Sequence, residues 1–122
     1  MMTGTRKLRK IKIEHFKNLV AVAVADGIWH QNEKKLLQAK VEQYGLSTED
    51  VVKILDEAEQ LKFVVPQNII EREEQLKDAV YMALIDGFFH KDEYQLCVNL
   101  ANRLGFSQRN VDQAIEILKS QK

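Results

Sequence analysis

The stretch Ala25-Asp26-Gly27-Ile28-Trp29-His30-Gln31-Asn32-Glu33 returns sixty residues later as Ile85-Asp86-Gly87-Phe88-Phe89-His90-Lys91-Asp92-Glu93. Both copies keep the aspartate, glycine, histidine and glutamate at the same spacing. The register holds outward without a gap, aligning 15–58 with 75–118. Identical pairs run through it: Lys17/Lys77, Val20/Val80, Ala23/Ala83, Leu36/Leu96, Gly45/Gly105, Ser47/Ser107 and Val51/Val111. Pairs that differ, such as Leu37/Cys97, Tyr44/Leu104, Leu46/Phe106 and Leu55/Ile115, keep their apolar character, as duplicated core positions should. A fixed period of this length marks a repeated supersecondary unit, so the two halves are expected to share one fold.

Within each unit the apolar residues recur at helical spacing: Phe16, Leu19, Val20, Ala23 and Val24, then Leu36, Leu37, Val41 and Tyr44, then Val51, Leu55 and Ala58. Val20, Val22 and Val24 also alternate as a strand would. The equivalent Val80-Tyr81-Met82-Ala83-Leu84 does not, and its alanine, methionine and leucine favour a helix. Gly45 and Gly105 suit the left-handed position that closes a helix, and Ser47 and Ser107 suit the cap of the next one. The spacing therefore predicts an all-α chain, a compact bundle of about six to seven helices built from two tandem three-helix repeats. The chain is expected to be one domain, with unit 1 over about 13–60, a connector at 61–66 ending on the sole proline, Pro66, and unit 2 over about 67–119. Residues 1–10 read as a frayed, locally basic tail carrying Arg6, Lys7, Arg9 and Lys10.

Composition narrows the function classes. Eighteen basic and eighteen acidic side chains cancel, leaving no field to draw the protein to nucleic acid or to an anionic membrane. The longest apolar stretch, 19–25, is far short of a bilayer span, so no membrane insertion is expected. No signal-peptide pattern opens the chain, and its one cysteine, Cys97, cannot form an internal disulfide; a cytoplasmic setting is the expectation. Cys97 stands where the first copy has Leu37 and reads as a small core residue rather than a nucleophile. No glycine-rich phosphate loop or nucleophile motif appears.

The repeated loop is the candidate site, and most of it has a structural explanation. Gly27 and Gly87 would end a helix in the left-handed region. His30 and His90 would cap the next helix, with Glu33 and Glu93 reaching back to the cap backbone as in a capping box. Asp26 and Asp86 are the exceptions. A carboxylate in the last turn of a helix faces the negative end of the macrodipole, which costs about 0.3–1 kcal/mol when exposed. A compensating partner is expected: loop N–H groups, the N-terminus of the following helix, a protonated histidine, or a cation. Each loop brings Asp, His and Glu together, a set that suits Zn²⁺ or Mn²⁺, whereas oxygen ligands alone suit Ca²⁺ or Mg²⁺. The candidate metal ligands are thus Asp26, His30 and Glu33 in one loop and Asp86, His90 and Glu93 in the other.

Asp-Gly, five residues, then Glu, set between two helices and present twice, resembles the tellurite-resistance TerB-like family and the related N-terminal cytoplasmic domain of the DjlA co-chaperone. The resemblance covers roughly residues 15–118. It implies a compact all-helical fold, a role in bacterial stress-linked assemblies and divalent metal binding by the acidic residues. The histidine is not part of that family's motif, so its ligand role rests on the residues of this chain alone. The expectation is a non-enzymatic module acting through protein contacts, with a divalent ion at the duplicated loops. The alternatives are a metal-dependent hydrolase using the same Asp, His and Glu residues, and an interaction domain with no ligand.

Overall fold

The described residues form six α-helices: α1 (Met2–Ala25), α2 (Gln31–Tyr44), α3 (Thr48–Asp56), α4 (Ile69–Leu84), α5 (Lys91–Arg103) and α6 (Gln108–Ser120). The computed structural model describes the backbone of residues 2–27, 31–85 and 90–120, and the side chains of these except 2–8 and 31–33. Among the described residues there is no strand, and 20–24 lie inside α1. A short 3₁₀ turn, Ala58–Gln60, follows α3. The chain divides into two compact units, Met1–Phe63 and Val64–Lys122. Sixty residues on, the boundaries of α2 and the start of α3 fall within one residue of those of α5 and α6, so the repeat seen in the sequence is also a repeat of helix positions.

In unit 1, α3 packs on α2 and α1, and the 3₁₀ turn closes back on α1. Phe16, Leu19, Val20, Ala23, Leu37, Val41, Val51, Leu55 and Ala58 are buried. In unit 2, α4, α5 and α6 pack against one another in all three pairings, around Leu76, Val80, Ala83, Leu96, Cys97, Leu100, Leu104 and Val111. Apart from Leu100, these are positions that the helical spacing and its repeat mark as core; Val24 and Leu36, marked likewise, are half-buried.

The helix ends follow local rules. Gly45 has φ +100° and Gly105 φ +89°. Leu46 N–H donates to Val41 O at 3.3 Å and Gly45 N–H to Glu42 O at 3.3 Å; Phe106 and Gly105 donate to Ala101 and Asn102 at 2.8 and 3.2 Å. Both helices therefore end in a Schellman motif, with the residue after glycine buried or half-buried. Ser47 Oγ caps α3 by accepting the Asp50 N–H at 3.1 Å. The second copy reverses the roles: Asn110 Oδ1 accepts both the Ser107 N–H, at 2.9 Å, and the Ser107 hydroxyl, at 3.1 Å. Asp50 is ion-paired to Arg9 of α1, whose guanidinium holds the carboxyl below the usual aspartate range. Sixty residues on from Asp50 stands the neutral Asn110, whose amide oxygen turns to the serine.

Arg9 also corrects the expected frayed tail, since α1 runs back to Met2. Besides its ion pair with Asp50, Arg9 Nη2 lies 3.4 Å from Ser47 Oγ, and Lys12 Nζ sits 4.4 Å from the centroid of the Tyr44 ring. Two of the basic residues near the start are thus anchored on α2, α3 and the junction before it, which favours the helix where sequence spacing alone offers no apolar stripe.

Candidate functional site

The repeated loop sits at the α1–α2 junction and again at the α4–α5 junction. In the first copy α1 ends at Ala25. Asp26 N–H donates to Val22 O at 2.9 Å and Gly27 N–H to Val24 O at 3.3 Å. Gly27 has φ +72°, the left-handed position expected of it, and a Cβ built there would meet no atom within 4 Å. The demand for glycine is therefore one of backbone conformation rather than space. Gly27→Ala should cost about 1–2 kcal/mol in thermal or denaturant unfolding; a melting temperature equal to that of the parent would show that the chain does not turn here in the left-handed region. Asp26 is exposed at this turn. His30, the Glu33 side chain and Asp86 lie outside the described residues, as does Gly87.

The second copy is described from His90 onward. His90 has extended backbone (φ −75°, ψ 144°) and is the N-cap of α5. Its Nδ1 accepts the Asp92 N–H at 3.2 Å, while Glu93 Oε1 accepts the His90 N–H at 3.2 Å. This reciprocal pair is the capping box that the spacing predicts, with imidazole in the place usually taken by a hydroxyl. Tyr94 N–H donates to His90 O at 3.0 Å and closes the first turn. Glu93 is buried at 2% exposure, whereas the His90 side chain is 42% exposed.

The hydrogen-bond roles bear on metal binding. A neutral imidazole carries one N–H and one lone pair. With the Nδ1 lone pair directed at the Asp92 N–H, the proton sits on Nε2, which then donates and cannot ligate. His90 can bind a metal only by giving up the cap, and one Glu93 oxygen is likewise committed to the His90 backbone. The described part of this donor set does not fit a zinc-type site. Among the described residues, no three His, Cys, Asp or Glu side chains are grouped so as to hold a metal ion.

Tyr94, one residue beyond the box, has a role the spacing does not reveal. Its hydroxyl donates to Asp112 Oδ1 at 2.7 Å and accepts from Gln108 Nε2 at 2.8 Å, joining the start of α5 to α6. The bond to the Asp112 carboxylate holds the phenol proton more tightly than usual. The first copy has Lys34 at this position, so only the substitution in the repeat could have signalled it. Cys97 is buried on α5, consistent with a core residue.

Comparison with family models, with curated proteins and with solved structures finds no match to this chain.

Proposed function

We propose that the chain is a non-catalytic, TerB-like helical module that works through contacts with other proteins in a stress-linked assembly, and that its duplicated Asp-Gly-x5-Glu segments serve first to join and cap helices. The observation that carries this reading is the capping box at the second junction. His90 and Glu93, the residues that a hydrolytic site would need as ligand and base, are engaged in holding the first turn of α5. A divalent ion remains part of the reading as a modulator, assigned to the aspartates Asp26 and Asp86 rather than to the capping pair. Oxygen donors of that kind favour Mg²⁺ or Ca²⁺ over Zn²⁺.

Calorimetric titration of chelator-treated protein with Ca²⁺, Mg²⁺, Mn²⁺ and Zn²⁺, alongside turnover of ester and phosphate panels, tests the reading. Binding weaker than about 0.1 mM is expected, the range of oxygen sites with few charged ligands. Asp26→Asn should weaken it, and His90→Asn, which can still cap, should leave it unchanged. A loss of about tenfold or more on His90→Asn, or metal-dependent turnover, would favour the hydrolase. The absence of saturable binding at millimolar ion would remove the modulator and leave the interaction module alone.

A further inference from the structure

One face of α4 has no core to cover. Ile70 is 59% exposed and Tyr81 46% exposed, and between them Glu74 and Lys77 are exposed as well. The spacing of these four, 4-3-4, is that of a heptad seam, so they share a single narrow stripe down the helix. The outer positions of this stripe would gain from burial and its inner positions from opposite charges.

Beside the stripe runs an open groove of about 170 Å³ between α4 and α6, bordered by Leu76, Lys77, Phe106, Ala114 and Ile117. At two of the corresponding positions unit 1 holds a larger side chain, Phe16 for Leu76 and Ile54 for Ala114, and both are buried, whereas Phe106 is matched by the smaller Leu46. At the rim, the charged Glu57 of unit 1 is matched by Ile117, which is 52% exposed. The second copy thus loses bulk at Leu76 and Ala114 and carries the apolar Ile117 where the first has a charge. The groove is smaller than the roughly 300–1,000 Å³ of small-molecule sites, which points to a macromolecular contact.

We infer that this face binds a second copy of the chain, with α4 antiparallel to α4 of the other protomer about a two-fold axis. The order apolar, acid, base, apolar is its own complement in that arrangement alone. Ile70 meets Tyr81 of the other copy, and Glu74 meets Lys77, each contact occurring twice, as an isologous interface requires. Parallel pairing would instead set Glu74 against Glu74 and Lys77 against Lys77. The formal net charge of zero adds no general repulsion between copies. The seam spans eleven residue steps, about 17 Å of helix, so the interface belongs at the small end of the size range, below about 1,200 Å² in total, and the dimer is weak and reversible. It rests on α4 and α6 and not on the junction loops, so it stands or falls separately from the reading of the loops.

Sedimentation velocity on the full chain, over a concentration series up to about 1 mM, tests the inference. The parent should pass from monomer to dimer across the series. Glu74→Lys or Lys77→Glu, each placing like charges across the axis, should weaken association by at least about tenfold. The double variant E74K/K77E restores the complementary order and should recover association to within about threefold of the parent. Both positions are exposed, and circular dichroism confirms that the variants are folded. A parent that stays monomeric throughout overturns the inference and leaves the face to a different protein. A dimer insensitive to both single reversals, or one that the double variant fails to restore, overturns it in favour of another surface.

Discussion

Phe16→Ala should remove about 3–5 kcal/mol of stability, the cost of truncating a buried phenylalanine in a core that relaxes only in part. Phe16 is 2% exposed on α1 and is among the largest fully enclosed side chains. It is the largest of the buried α1 side chains, beside Leu19, Val20 and Ala23, on a helix that contacts α3 and the 3₁₀ turn. Small domains have about 5–15 kcal/mol in total, so the loss would consume a large part of what unit 1 has. Thermal unfolding followed by circular dichroism should move down by more than about 10 °C. Phe16→Leu, which copies the residue at Leu76, should cost much less, because it shortens the side chain without emptying the site. A shift of only one or two degrees for Phe16→Ala would mean that α1 is not packed through this face.

Glu93→Ala should cost about 1–3 kcal/mol. The substitution deletes the acceptor of the His90 N–H and opens space at a position 2% exposed. Glu93→Gln keeps an acceptor of the same shape and should retain most of the stability, with urea denaturation resolving the two. Equal losses for the two variants would show that the negative charge of Glu93, rather than its hydrogen bond, is what the fold uses.

The sequence made the helices and their ends legible because those features are local or are repeated. Periodicity marks Val20, Leu37, Val41, Val51 and Val111 as buried, and two glycines in register announce the left-handed ends at Gly45 and Gly105. His90 as cap and Glu93 three residues on could be read from spacing, since a capping box is defined within one turn. Features that depend on distant partners were not legible. The helical run back to Met2 accompanies contacts of Arg9 and Lys12 with residues more than thirty positions away. The exchange of roles between Ser107 and Asn110 accompanies the change from Asp50 to Asn110, whose direction the repeat does not reveal. Lys40 is fully buried although lysine is seldom so, and the one hint was its alignment with Leu100. Of the six candidate ligands, Asp26 lies exposed at its turn, while His90 and Glu93 meet in the cap. The contrast between Nδ1 as acceptor and Nε2 as donor has no counterpart in residue spacing, because it depends on where one amide N–H points.

That contrast makes the central claim, that the repeated segment is a helix junction before it is a ligand set, directly measurable. Nitrogen-15 NMR of the His90 ring, recorded at about pH 8 where imidazole is neutral, separates a nitrogen bearing a proton from one bearing a lone pair. An unprotonated, hydrogen-bonded Nδ1 and a protonated Nε2 are expected, with neither signal moved by Zn²⁺ or Mg²⁺ at concentrations that saturate the calorimetric titration. A lone pair on Nε2 in the free protein, or a ring nitrogen that shifts in proportion to bound metal, would contradict it and return His90 to the role of ligand.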